Sequence, residues 1–188
     1  GDGICLRNYT FGLMNTHVPE EYGGPGGSYL DGCIIEEELS WGCSGITTSL
    51  GANGLASAPL ALAGSEELKK TYLGMLTEDF KLASFCLTEP DAGSDVSGMR
   101  TTAVRKGDKY VINGSKTFIT NGQTANLVIV VCKTDPSQGA RGTSLLVVET
   151  DGAEGFERGR NLDKLGQEAA DTSELFFNDV KVPTENLL

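Results

Sequence analysis

The stretch TTAVRKGDKYVINGSKTFITNG, residues 101–122, decides the fold. Its apolar and β-branched residues recur at a period of two, the spacing of a strand with one face buried. Turn formers punctuate it at Lys106-Gly107-Asp108 and Asn113-Gly114, and Asn121-Gly122 closes it. Working outward, KLASFCLT (81–88) precedes it as a strand entering a polar turn. Three β-rich runs follow: LVIVVCKT (127–134), TSLLVVET (143–150) and SELFFNDVKV (173–182). Five or more short strands, mostly joined by hairpins, predict an antiparallel barrel or sandwich.

Before Lys81 the period is helical. Ser28 is placed to cap a helix with Asp31 three residues on, a variant of the capping box. Leu30, Cys33, Ile34 and Leu39 then fall on one helical stripe and leave Glu36, Glu37 and Glu38 to solvent. Gly42 and Gly45 should end that helix, and the small residues from Thr47 to Ala63 suit a closely packed, buried one. Ser65 caps a further helix with Glu66 and Glu67 at its positive end, and Gly74 should interrupt or end it. Helices followed by a sheet make an α+β chain. The expected division is 1–80 for the helical part and 81–188 for the β part, with the joint near 79–84.

Composition narrows the function. The net charge is −11, from 15 Lys and Arg against 26 Asp and Glu, which argues against a nucleic-acid partner. Up to Leu68 the only basic side chain is Arg7, against nine acids, and the remainder is near balance. The five cysteines are scattered without a CxxC, and the lone His17 supplies no histidine-based metal site. They read as buried, reduced thiols of an intracellular protein. His17 reads as a loop histidine, so a histidine-dependent triad is not indicated. No apolar run reaches the length of a membrane span, and there is no GxGxxG. No cationic leader precedes an apolar core, although an opening on Gly1-Asp2-Gly3 leaves the compartment open if the chain is a piece of a longer one.

Two segments can carry chemistry. Phe85-Cys86-Leu87-Thr88-Glu89-Pro90-Asp91-Ala92-Gly93-Ser94-Asp95 leaves a strand for an oxygen-rich loop. Such a loop can aim backbone N–H groups at an anion or a heterocycle, with Thr88 and Ser94 as further donors. Equally, it can be a polar turn in which Ser94 or Asp95 caps a short helix. In the second segment, Lys116–Gly122, alternation puts Phe118 and Thr120 on one strand face and Ile119 on the other. An aromatic beside a hydroxyl suits a flat ring, but a core aromatic before a tight turn has the same pattern.

Taken together, TEPDAGSD (88–95), INGSKTFITNG (112–122) and KLGQEAADTSELFFNDVKVP (164–183), preceded by PEEYGG (19–24) and a helical EEL stretch, resemble the acyl-CoA dehydrogenase family. The resemblance runs colinearly over essentially the whole chain. Phe118, where many relatives carry Trp, and the ELFFNDV strand are most similar to the long-chain branch.

The resemblance implies an N-terminal helical domain, a middle β-barrel-like domain and a C-terminal four-helix bundle, assembled as a homotetramer. This sequence matches the end of the first and all of the second, and the bundle would begin about where it stops. The implied reaction is α,β-dehydrogenation of medium- to long-chain acyl-CoA in fatty-acid oxidation. FAD is the cofactor, and electrons pass to electron-transferring flavoprotein. Phe85, Cys86, Leu87, Thr88, Glu89, Pro90, Asp91, Ala92, Gly93 and Ser94 would line the flavin, with the amides around Leu87 and Thr88 at its pyrimidine edge. Phe118 would lie against the ring system beside Ile119, and Thr120 would bond near the hydride acceptor. Ser94 would also approach the pantetheine arm of the acyl-CoA substrate.

The resemblance places the catalytic glutamate in the C-terminal bundle, so no catalytic residue is expected here, no metal is implied, and the chain alone should be inactive. A non-catalytic binding or assembly module and an acyl-CoA oxidase are the alternatives. The expected location is the mitochondrial matrix in a eukaryote and the cytoplasm in a bacterium.

Overall fold

The computed structural model describes residues 2–188, in which helices α1 (Asp2–Thr10), α2 (Tyr29–Ala63), α3 (Glu66–Leu68) and α4 (Gly74–Glu78) precede every strand. The cap foreseen at Ser28 is complete. Its Oγ accepts from the Asp31 N–H at 3.2 Å, and Asp31 accepts from the Ser28 N–H at 2.8 Å. Helix α2 breaks where the glycines predicted, at Cys43 with φ −163° and ψ 106°, and its small-residue part continues directly from the break. Gly74 does not end its helix. A wide turn over Lys69–Leu73 precedes it, and helix resumes through Glu78. Tyr72, Leu73 and Leu76 are buried on both sides of that glycine, which outweighs its helical penalty of about 1 kcal/mol.

The sheet holds β1 (Ala83–Cys86), β2 (Thr102–Lys106), β3 (Lys109–Thr120), β4 (Leu127–Lys133), β5 (Thr143–Glu149), β6 (Phe156–Asn161) and β7 (Thr172–Pro183). Their order is β1-β4-β2-β3-β7-β6, with β5 on the other edge of β4. The sheet curls into a half-barrel, as the α+β reading requires, but it is mixed rather than wholly antiparallel: β1 runs parallel to β4, as does β2 at one pair. The reason lies in β4, which is buried on both faces. Val128 and Val130 face the core inside the curl, and Leu127 and Ile129 face the helices. Continuous apolar runs are typical of such two-sided strands.

The turn predicted at Asn113-Gly114 is instead a bulge inside one long strand. Gly114 has φ +152°, and a Cβ there would fall 2.8 Å from the Thr101 Cα, so only glycine lets β3 continue past that point. Strand β6 was not foreseen because its sequence, FERGRN, lacks an apolar alternation. It is held by pairing with β7 and by Arg158, which lies over the Phe156 ring and donates to the Ala125 carbonyl at 2.9 Å.

Three buried asparagines tie the structure together, Asn53 and Asn121 joining helices to sheet and Asn15 bracing the helical layer. Asn53 accepts from the Ala83 N–H at 2.7 Å and donates to the Lys81 carbonyl at 2.9 Å. Asn121 donates to the Ser49 carbonyl at 2.8 Å, and Asn15 to the Leu76 carbonyl at 2.6 Å. Buried amides with satisfied partners fix one relative placement of the two layers.

Candidate functional site

An open cleft of about 530 Å³ lies between α2 and the curled sheet. Its sheet side is formed by Phe85, Leu87 and Thr88 from the end of β1 and by Phe118, Ile119 and Thr120 from the end of β3. The two segments singled out in the sequence therefore meet. Hydrogen bonds join them: the Thr117 N–H donates to the Thr88 carbonyl at 2.9 Å, and the side-chain Oγ of Ser84, just before the first segment, donates to the Thr120 carbonyl at 2.6 Å.

Phe118 is the least ordinary residue of the cleft. It has φ +56°, a left-handed conformation that is a true outlier for a bulky side chain, and it is 66% exposed. A register shift between Lys116 and Ile119 produces this arrangement: Lys116 and Thr117 are buried in succession and the next residue is pushed outward. The core-aromatic reading of Phe118 is thereby overturned. Phe118 and Thr120 do share the cleft, but through a bulge rather than simple alternation, and Ile119 reaches the same wall.

The first segment divides after Thr88. Cys86 is fully buried, and burial pushes its thiol up to about 12, so it is inert packing. Glu89 leaves the cleft altogether. Its carboxylate accepts from Lys116 Nζ at 2.8 Å and from the N–H groups of Arg100 and Thr101 at 2.6 and 3.0 Å. Burial alone would raise the Glu89 carboxyl, but bonds from Lys116, Thr101 and Arg100 outweigh it and hold the group below its ordinary range. Lys116 Nζ also donates to the Leu87 carbonyl at 3.0 Å, so the ion pair braces the backbone beneath the cleft.

Pro90 and Asp91 form the tip of a tight turn closed by paired bonds between Glu89 and Ala92, and Ala92 packs on Met99 and Val131. Gly93 and Ser94 are exposed beyond it, and Asp95 caps a short 3-10 turn. The amides of Glu89, Ala92, Ser97, Met99, Arg100 and Thr101 all have acceptors inside the loop, so they do not converge on an anion. Nor does Gly93 use a positive φ. Of the residues expected at the flavin, Cys86, Glu89, Pro90, Asp91, Ala92, Gly93 and Ser94 lie off the cleft wall.

The helical side of the cleft was missed. Thr47, Thr48, Gly51, Ala52 and Leu55 line it, with Glu36 and Ser40 from the first part of α2. The available signal was the run of small residues, which leaves a groove along one helix face. Glu36, read as part of a solvated acidic stripe, is exposed yet stands on that wall. A second pocket of about 320 Å³ adjoins the first and shares Glu36, Gly51 and Leu55 with it. There His17 stacks on Tyr29 and bonds to Ser57 Oγ at 2.8 Å, and burial pulls its pKa down. Cys33 is exposed at the same pocket, contrary to a uniformly buried set of thiols.

Among the described residues no helix is long and apolar enough to cross a membrane. The family profile "Acyl-CoA dehydrogenase, N-terminal domain" matches residues 8–79, and "Acyl-CoA dehydrogenase, middle domain" matches 84–180. A probable medium-chain specific acyl-CoA dehydrogenase 2, mitochondrial, of Caenorhabditis briggsae is 43% identical over 98% of this chain and 46% of its own length. The glutaryl-CoA dehydrogenase of Desulfococcus multivorans is 44% identical over 94% of this chain and 46% of its own. The structure of an acyl-CoA dehydrogenase from Bacillus anthracis in complex with FAD superposes with a TM-score of 0.89 at 38% identity, covering 98% of this chain and 31% of that one. The chain spans just under half the length of these curated relatives. By two successive domain matches and identity along nearly its whole length, the chain belongs to the acyl-CoA dehydrogenase family.

Proposed function

We propose that residues 1–188 supply the flavin- and acyl-CoA-binding surfaces of an FAD-dependent acyl-CoA dehydrogenase. The observation that carries this reading is Phe118, an exposed aromatic held in a strained backbone and lining one cleft with Thr88 and Thr120. Strain of this kind, about 1–3 kcal/mol, persists where function needs the side chain presented. The cleft volume of about 530 Å³ and a sheet wall that sets Phe85, Leu87, Phe118 and Ile119 beside two threonines suit an isoalloxazine ring. The relative solved with FAD supports the same cofactor. The chemistry supplied by bound FAD is acceptance of a hydride from the β carbon of the acyl group.

The chain's own residues hold and orient. Phe118 offers a flat face to the ring, and Thr88 and Thr120 place hydroxyls at the same wall. The Lys116–Glu89 pair keeps the Leu87–Thr88 backbone fixed so that its amides do not reorganise as charge develops. Glu89, with three donors on its carboxylate, is not available as a base. Asp91 is exposed, off the cleft, and pairs with Arg100 at 3.3 Å. As the family resemblance implies, the α-proton acceptor is assigned to a glutamate of the C-terminal bundle, outside residues 1–188. Ser94, exposed on the loop that leaves the cleft, keeps its assignment to the pyrophosphate and pantetheine side.

Residues 1–80 and 81–188 act as the helical and β domains of this unit. The full protein works as a homotetramer on acyl-CoA and hands electrons to electron-transferring flavoprotein. Its location is the mitochondrial matrix in a eukaryote, for which the mitochondrial C. briggsae relative is the support, and the cytoplasm in a bacterium. On acyl length the reading stays with medium to long chains, favoured by that relative's name, although the glutaryl-CoA relative has a short acyl group ending in a carboxylate. The test is anaerobic addition of octanoyl-CoA to the complete FAD-loaded protein. Bleaching of the flavin band is expected, and retention of full absorbance would refute the reading.

A further inference from the structure

The wall of the cleft opposite Phe118 carries one charged side chain, Glu36. Its neighbours there are neutral and small: Ser40, Thr47, Thr48, Gly51 and Ala52. Glu36 stands where the cleft meets the second pocket, since both share Glu36, Gly51 and Leu55. Gly51 makes room for it, because a Cβ there would fall 3.2 Å from Glu36 Oε1. Among the described residues lining the two pockets there is no Lys or Arg to neutralise an incoming anion. His17 does not serve either: its Nε2 is engaged by Ser57, and burial disfavours its charged form.

We infer that Glu36 is a specificity-determining residue that rejects acyl groups ending in a carboxylate and reserves the cleft for acyl groups with uncharged ends. The inference rests on the proposed function: with the flavin ring on the sheet side, the acyl group is left the helical side and its far end approaches the Glu36–Gly51 throat. An alkyl end passes the throat into the second pocket, past Leu55, Tyr29 and Ala58. A terminal carboxylate brought to the same point meets a like charge, with no Lys or Arg among the described lining residues to offset it. Such a contact costs on the order of tenfold or more in binding. Selection of this kind is by repulsion, so it acts on the end of the acyl chain and leaves the reacting thioester carbons alone.

The experiment uses the complete FAD-loaded protein and compares octanoyl-CoA with suberyl-CoA, its eight-carbon relative with a terminal carboxylate. The quantity read is the ratio of their kcat/KM values with an artificial electron acceptor. The wild type should favour octanoyl-CoA strongly. Glu36→Gln should raise the suberyl-to-octanoyl ratio about tenfold, Glu36→Lys further, and Glu36→Asp should hold it near the wild-type value. An unchanged ratio in Glu36→Gln, or comparable use of both esters by the wild type, overturns the inference while octanoyl-CoA turnover still supports the proposed function. If octanoyl-CoA neither bleaches the wild-type flavin nor turns over, the proposed function falls and this inference with it. If Glu36→Gln abolishes flavin reduction by both esters, Glu36 is acting as the proton acceptor and the inference is likewise wrong.

Discussion

Lys116 and Phe118 are two residues apart on β3, and they occupy opposite extremes of environment. Lys116 is 1% exposed, with its ammonium on Glu89 and the Leu87 carbonyl. Phe118 is 66% exposed in a left-handed backbone. The contrast teaches how a small sheet sustains a strained functional edge. Below the cleft, the Glu89 carboxylate and the Lys116 ammonium are each held by several partners, which resists any shift of the backbone they bridge. Above it, the bulge between Lys116 and Ile119 forces the aromatic outward. The lower region stabilises a geometry that the upper region uses.

Removing the brace should have the largest effect. Lys116→Met leaves the Glu89 carboxylate buried without its counter-charge, and loss of one partner of a buried pair costs roughly 3–5 kcal/mol. Urea denaturation should show a drop of that size, and the double variant Lys116→Met/Glu89→Gln should regain a good part of it. The pH dependence has a definite sign. The folded Glu89 carboxyl lies below its unfolded value of about 4.3, so its stabilisation is present above that pH and is lost as pH falls through the folded value. The double variant should show a shallower loss of stability on the acid side.

Next comes the bulge. Gly114→Ala puts a Cβ against Thr101 at a φ of +152° and should destabilise by about 2 kcal/mol. An unchanged melting temperature would mean that β3 passes Thr101 with room to spare.

Smaller effects lie on the cleft edge, where stability and cofactor handling should part. Phe118→Gly removes the left-handed penalty of roughly 1 kcal/mol, so the melting temperature should hold or rise while FAD affinity falls. Thr120→Val keeps the β-branched shape and deletes one hydrogen bond, worth about 1 kcal/mol. It should slow flavin reduction by several-fold in stopped-flow measurements and leave the melting temperature nearly unchanged. If either variant instead unfolds the protein with normal flavin behaviour, the division between brace and edge is wrong.

Periodicity and turn chemistry made most of the architecture legible: the Ser28 and Ser65 caps, the break near Gly42–Gly45, and five of the seven strands as separate runs. Asn113-Gly114 misled because a turn dipeptide and a bulge glycine look alike locally, and only the approach of Thr101 separates them. Strand β6 was invisible because its stability comes from Arg158 and its partner β7, not from its own alternation. At the site, the family resemblance set 85–94 beside 118–120; Phe85, Leu87 and Thr88 do share the cleft with 118–120, whereas the turning away of Glu89 was not foreseen. Lys116 lies 27 residues from Glu89, and a charge pair at that separation leaves no periodic trace. The helical wall around Glu36 and Gly51 was likewise hidden, since small residues signal close packing whether the neighbour is a helix or a ligand.

The most direct test of the central claim is the structure of the complete protein with FAD bound. The account predicts the isoalloxazine ring in contact with the Phe118 side chain, with the Thr120 hydroxyl and the Leu87–Thr88 amides within hydrogen-bonding distance of the ring. A flavin bound instead in the second pocket against His17 and Tyr29, or one that leaves Phe118 facing solvent, would contradict it.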